Sequence, residues 1–244
     1  MEISILSRAI GPTWGVLRPK VKKLEEPKDI GRALSADEER AILDAAACNR
    51  SPVILPFIRI ALTTGMRFGE ILSLKWSQID VETRTLRVGN AKTAAGTGRG
   101  IPMNSSLYEI MAEHASWVSQ KLDEPLQPNW HVFLLCNTVR PVDPERPMTA
   151  IKTAWNGVRE EAGVNCRCHD LRHTACTKMA EAGVPEGTMK ALMGHMSAAM
   201  IERYSHVRDQ AKRAAVEALN LPGSAVSNGV PNESLKVQGK VVIQ

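Results

Sequence analysis

Apolar residues recur at helical spacing over most of the chain, and the breaks between them fall at turn residues. Ser35-Ala36-Asp37-Glu38 opens the first periodic run: Ser35 can accept from the amide of Glu38, a capping-box start, and Ile42 and Ala46 follow one turn apart. The pattern predicts a second helix from Pro52 to Thr63 and, after a turn at Gly65, a short one carrying Glu70-Ile71-Leu72. Ile79 to Val88 and Arg99 to Met103 read as short strands around a Gly-containing segment, Asn90 to Gly100, which must turn or protrude. Helical spacing returns from Asn104 to Leu122, Val132 to Leu135 reads as a strand, and the proline-rich stretch from Asn137 to Pro147 reads as a loop. From Thr149 onward the pattern is helical, punctuated by Gly163, Gly183-Val184-Pro185 and Gly194.

These elements suggest three regions. Residues 1–33 mix short apolar pieces with Pro12, Pro19, Pro27 and a basic cluster of Arg18, Lys20, Lys22 and Lys23, the composition of a linker rather than of a packed core. Residues 34–221 form one domain, as expected for most of a chain of 244 residues. Residues 222–244 are polar and Gly/Ser/Asn-containing until Val241-Val242-Ile243, and read as a flexible C-terminal tail.

Composition narrows the function classes only modestly. Thirty-one basic against 26 acidic residues give a formal charge of +5, which suits a polyanionic partner without requiring one. Five cysteines, an odd number in a chain of this size, do not form a secreted disulfide framework and point to a reducing compartment. The most apolar stretch, Val53 to Leu62, is too short to span a bilayer and contains Arg59. The expectation is a protein of the cytoplasm, associated with the nucleoid and without a membrane partner.

The candidate chemistry lies in separated pieces: Thr64-Gly65-Met66-Arg67-Phe68-Gly69-Glu70, Cys168-His169-Asp170-Leu171-Arg172-His173, Gly194-His195 and Tyr204. His169 and Arg172 are three apart, so on a helical turn both can face one cleft, one handling a proton while the other grips an oxyanion. Arginine suits the second task because its planar fork donates two hydrogen bonds and stays charged. Arg67 and Arg172 together could stabilise a pentavalent phosphorus transition state. Taken singly, each residue has a plainer reading: Arg67 a helix cap, Lys92 a solvated loop lysine with Arg99 nearby as a rival, Glu70 a surface carboxylate, His195 a cap, Tyr204 a packing residue. A different chemistry is also open. His169 and His173 stand at i and i+4 around Asp170, as in a zinc hydrolase, although aspartate is one methylene short of the usual glutamate base and no third ligand follows at a recognised spacing.

The ordered set of motifs resembles the tyrosine recombinases, or phage integrases, from about Leu34 to about Leu219. The resemblance implies an α+β, mainly helical catalytic domain with a small antiparallel sheet. It implies catalytic roles for Arg67, Lys92, His169, Arg172, His195 and the nucleophile Tyr204, with Glu70 as an accessory acid. It also implies DNA strand cleavage and rejoining through a 3'-phosphotyrosyl link, no metal or other cofactor, double-stranded DNA as partner and a homotetramer on DNA. Met193 stands where the family usually has leucine before Gly-His, and residues 1–33 stand where its helical core-binding domain is expected, so they could be the remnant of that domain. A truncated remnant that binds DNA without cutting it is therefore a further reading.

Overall fold

The computed structural model describes residues 31–89, 97–135 and 142–194, with residues 196, 216 and 219 beyond them. In chain order the elements are α1 (Ala36–Ala47), α2 (Ile54–Thr64), α3 (Phe68–Leu72), β1 (Ile79–Asp80), β2 (Thr85–Arg87), β3 (Gly100–Pro102), α4 (Ser105–Leu122), α5 (Lys152–Ala162), α6 (Asp170–Glu181) and α7 (Glu186–Met193), with a 3-10 turn at Trp76–Gln78. The mainly helical architecture with a small antiparallel sheet agrees with the sequence pattern.

Helix α1 starts as its capping box predicts. Ser35 Oγ accepts from the Glu38 amide at 3.2 Å, and the Glu38 carboxylate accepts from the Ser35 amide at 3.0 Å. Arg32 grips both carboxylate oxygens of Glu38 at 2.6 and 2.7 Å, and this hydrogen bonding holds the Glu38 pKa down to about 2.

Helix α2 is the central post. Ile54, Phe57, Ile58, Ile60 and Ala61 are all buried, and the helix packs against α1, α4 and α6. Each of the buried isoleucine and phenylalanine side chains contributes roughly 1.5–3 kcal/mol by leaving water. The Phe57 ring meets Phe68 and Phe133 edge-on at 5.6 and 5.9 Å, which ties α3 and the segment after α4 to the same core.

The sheet is an antiparallel meander, β1-β2-β3, with Ile79 opposite Leu86 and Leu86 opposite Ile101. Leu86 and Ile101 face the core, while Arg87 and Gly100 are exposed. The single strand expected over 79–88 is instead a hairpin. Asp80 Oδ1 accepts from the amides of Glu82 and Thr83, and Arg84 takes a positive φ of 48°, so the chain turns before β2. Bonds from Val88 N to Arg99 O and from Gly98 N to Val88 O carry the β2–β3 pairing beyond Arg87.

The strand expected at Val132 to Leu135 does not form. The chain there is buried through Leu134 but bends at Val132 and Phe133, and it makes only isolated bridges, His131 with Lys75 and Leu134 with Pro147. Proline has no N–H to offer a ladder, so pairing with this proline-rich flank cannot propagate.

The segment entering the domain is latched to α6. Leu34 N donates to Thr174 Oγ1 at 2.9 Å, Arg32 N to Asp170 Oδ1 at 3.3 Å, and Arg32 Nη2 to the Asn165 carbonyl at 2.9 Å. Among the described residues no helix is long and apolar enough to cross a membrane.

Candidate active site

The first half of the site is a turn built at the end of α2. Gly65 adopts φ 62°, the left-handed conformation that closes a helix, and its amide donates to the Ala61 carbonyl at 3.0 Å. A Cβ at this position would lie 2.7 Å from Met193 Cε, so both the conformation and the close approach of α7 favour glycine. Thr64 Oγ1 donates to the Ile60 carbonyl at 2.6 Å and accepts from the Met66 amide at 3.2 Å, fixing the exit. The chain emerges in the extended conformation at Arg67, the N-cap of α3.

Glu70, in the first turn of α3, reaches back to Arg67 twice. Its Oε2 accepts from the Arg67 amide and its Oε1 from Arg67 Nη1, both at 2.9 Å. On its other side Arg99 donates from Nη2 to Oε2 at 2.6 Å and from Nη1 to Oε1 at 3.3 Å. The Glu70 side chain is only 4% exposed. Burial pushes its pKa up, but the hydrogen bonds of Arg99 and Arg67 and the charge of Arg99 outweigh this and leave it below the usual carboxylate range. A carboxylate so deep is stable only while its arginines stay: removing one partner of such a buried pair typically costs about 3–5 kcal/mol.

The second half is the start of α6. His169 is the N-cap, and Arg172 sits in the first turn with its side chain buried. Arg172 Nη1 donates to two backbone carbonyls far apart in the sequence but adjacent in the fold, Gly65 at 2.5 Å and Met193 at 3.0 Å. Burial, then the neighbouring positive charge of Arg67, lowers its pKa to about 10, so it remains charged at neutral pH. His169 keeps an open surface but stands in dense surroundings. The resulting loss of water, followed by the charges of Arg172 and Arg167, pushes its pKa below the ordinary histidine value. The His169 ring lies edge-on to His173 at 5.2 Å.

Of the residues singled out in the sequence, Arg67, Glu70, His169 and Arg172 are thus brought into one electrostatically coupled cluster. Lys92, His195 and Tyr204 lie outside the described residues. Arg99, the rival to Lys92, is tied to Glu70 and, through Nε at 2.9 Å, to the Leu192 carbonyl, with its side chain 6% exposed. A guanidinium held this way is a poor proton donor, and its structural tie to Glu70 is what local sequence reading missed. The only signal available was an arginine at the start of the strand expected over Arg99 to Met103, and nothing local marks it as buried.

The zinc alternative fares poorly in the same geometry. Asp170, which would have to serve as base, accepts from Arg167 N at 2.8 Å, Arg167 Nη2 at 2.9 Å and Arg32 N. Among the described residues no three His, Cys, Asp or Glu side chains converge to hold a metal ion. Burial raises the thiol pKa of Cys166 to about 11 and of Cys168 to about 12, so neither is poised as a thiolate.

Comparison with known proteins agrees with the fold and the motifs. The integrase of Salmonella phage P22 is 27% identical over 239 residues, covering 95% of this chain and 58% of that protein. A tyrosine recombinase XerC-like protein of Caldanaerobacter subterraneus is 32% identical over 195 residues, covering 66% of this chain and 47% of its own length. The chain therefore spans about half the length of these relatives. Among solved structures, the catalytic domain of bacteriophage HP1 integrase superposes with a TM-score of 0.55 at 20% identity, over 80% of this chain and 98% of that one. The Tn1549 transposon integrase, solved in complex with transposon right end DNA, superposes with a TM-score of 0.58 at 21% identity, over 80% of this chain and 68% of that one. The sequence pattern of the phage integrase family matches residues 32–211, well over half of the chain, and the chain belongs to that family.

Proposed function

We propose that the chain carries the catalytic domain of a site-specific DNA recombinase or integrase, which cleaves and rejoins strands of duplex DNA through a 3'-phosphotyrosyl intermediate. The observation that carries this reading is the pair of guanidinium groups, Arg67 held by Glu70 and Arg172 by the Gly65 and Met193 carbonyls, with His169 at the N-cap one turn before Arg172. Both arginines are oriented before any ligand arrives, Arg67 by Glu70 and Arg172 by the Gly65 and Met193 carbonyls. Preorganised donors of this kind stabilise a phosphorane-like transition state without reorganising during the reaction. The Tn1549 integrase, similar in fold and solved with DNA, supports duplex DNA as the ligand.

In this reading the Tyr204 hydroxyl attacks the scissile phosphorus. The new P–O bond to tyrosine forms as the bond to the 5'-oxygen breaks, the tyrosine proton passes to His169, and Lys92 protonates the departing 5'-oxygen. Arg67 and Arg172 hold the non-bridging oxygens, His195 adds a further hydrogen bond, and Glu70 fixes Arg67. A 5'-hydroxyl from a second strand reverses the step and reseals the DNA without ATP, because the tyrosyl ester keeps the energy of the broken bond. The working assembly would be a homotetramer on DNA, acting at the nucleoid. Residues 1–33 and 222–244 would be connecting and tail segments around the domain at 34–221.

A nicked duplex that loses its short 5'-hydroxyl fragment after cleavage traps the covalent intermediate and provides the test. Wild-type protein should accumulate a protein–DNA adduct, and Tyr204→Phe should form none while binding the same duplex with similar affinity, since only one hydroxyl is removed. An adduct with the phenylalanine variant would remove Tyr204 from the role. Binding by the wild type with no adduct would favour the DNA-binding remnant.

A further inference from the structure

Two buried arginines cap the same helix end. The last carbonyls of an α-helix have no partner within the helix and sit at the negative end of its dipole. At the end of α7 the Leu192 carbonyl accepts from Arg99 Nε at 2.9 Å and the Met193 carbonyl from Arg172 Nη1 at 3.0 Å. Each arginine also reaches the Gly65–Glu70 turn, Arg172 through the Gly65 carbonyl and Arg99 through both oxygens of Glu70. The result is a closed circuit from Arg67 through Glu70, Arg99, the end of α7 and Arg172 back to Gly65. The backbone of Arg99 is itself fixed, its carbonyl accepting from Val88 at 2.9 Å at the base of the β2–β3 pair. The stretch joining those two strands contains Lys92.

We infer that Arg99 is a positioning residue for the strand-cleavage reaction: by clamping Glu70 to the Leu192 carbonyl it sets the Arg67 guanidinium and the end of α7 as one unit. The inference rests on the recombinase reading for what Arg67 does. Arginine is required because its donors lie on different edges of one rigid plane. Nε can therefore serve Leu192 while Nη1 and Nη2 serve Glu70, whereas the three donors of a lysine radiate from a single atom. No other donor to the Glu70 carboxylate comes from outside α3 and its cap among the described hydrogen bonds.

The test is a double-mutant cycle of R99K, E70Q and R99K/E70Q in the full chain. Single-turnover adduct formation is measured at saturating nicked duplex carrying the site at which the wild type forms its adduct, alongside affinity for that duplex and thermal unfolding. R99K should stay folded and bind within about twofold of wild type, yet cleave ~10–100-fold more slowly, the size expected when a reacting group is displaced by about an ångström. The double variant should be no slower than the slower single variant, because both break the same circuit, whereas independent structural roles would multiply. Should R99K fail to fold, the double variant carries the rate comparison against E70Q, since it leaves no buried carboxylate without its guanidinium. Wild-type cleavage in R99K, multiplying losses, or a loss that only follows affinity or folded fraction would overturn the inference. The guanidinium 15N resonances of Arg67 give a readout apart from chemistry. They should sharpen under the Glu70 clamp in wild type and broaden in R99K, and no change would overturn the clamp. If wild type formed no adduct with any duplex, the recombinase reading would fall while these resonances still judged the clamp.

Discussion

Arg172 does two jobs with one side chain, and the two can be separated. Its Nη1 joins the Gly65 and Met193 carbonyls, which is a folding role, and its charge next to Arg67 suits a phosphate, which is the proposed chemical one. Lysine would keep the charge but lacks the planar fork. Arg172→Lys is therefore expected to lower cleavage by more than about 100-fold and stability by roughly 1–3 kcal/mol, the cost of a buried carbonyl left without its donor. Urea unfolding and single-turnover cleavage report the two losses separately; wild-type cleavage would make Arg172 structural only. His169 makes a different statement. Loss of water and the adjacent cations depress its pKa, so it is neutral at pH 7 and able to accept a proton. As pH falls the imidazole should stay active past the ordinary histidine value of about 6.5. The acid limb of the cleavage rate is expected below that value, and a limb at or above it would show that another group controls the rate.

At the level of elements, what the sequence made legible was what repeats locally. The capping box at Ser35, the glycine turn at Gly65 and the one-turn spacing of His169 and Arg172 are short-range signals, and each is found where expected. What remained hidden depends on residues far apart in the chain. Arg99 meets Glu70 across 29 positions and Leu192 across 93, and no periodicity encodes that. The strand expected at Val132 to Leu135 was lost for a related reason: its apolar run fitted a strand, but the identity of its neighbours, proline among them, decided the pairing. Asp170 was read only as a possible metal-site base, whereas it joins α6 to the incoming chain through Arg167 and the Arg32 amide. Burial works against its charge, yet the hydrogen bonds from Arg167 and Arg32 hold its pKa below the usual aspartate value. Its contribution is therefore present above the unfolded pKa and lost as pH falls through the lower folded value. Asp170→Asn should cost roughly 1.5–3 kcal/mol at neutral pH, typical of hydrogen bonds to a charged group, and the gap should close in strong acid where the wild-type carboxyl is also neutral. Urea midpoints of both proteins across pH give the answer; a gap that persists unchanged at low pH would mean the effect is packing rather than charge.

Across the whole molecule the shifted groups with partners in the fold push acid stability in one direction. His114 on α4 is buried and donates from Nε2 to the Val132 carbonyl at 2.8 Å, stacked against Trp117 at 5.4 Å and tilted to Phe133 at 5.3 Å. A carbonyl can only accept, so Nε2 carries a proton, and the neutral ring is the Nε2-protonated tautomer. Burial outweighs that hydrogen bond and lowers its pKa to about 4. His131, next to Val132 in the stretch after α4, is also depressed, first by burial and then by the charge of Lys75. Because the folded pKa lies below the unfolded one, the unfolded chain takes up the proton first. Stability from His114 is complete above about pH 6.5 and is lost between there and about 4, which at 1.36 kcal/mol per unit amounts to ~3 kcal/mol. Glu38, Glu70 and Asp170 are likewise depressed, and they add a second loss that sets in as pH falls into the ordinary carboxylate range, at about 4. The expected profile is thus a decline in two stages, histidine before carboxylate, the second setting in as the first ends. Denaturant unfolding at half-unit steps from about pH 7.5 to about 2 would resolve it. His114→Gln can still donate to the Val132 carbonyl but cannot titrate, so it should flatten most of the first stage and leave the second untouched. An unaltered slope between pH 6.5 and 5 in that variant would assign the first stage to His131, or to histidines elsewhere in the chain.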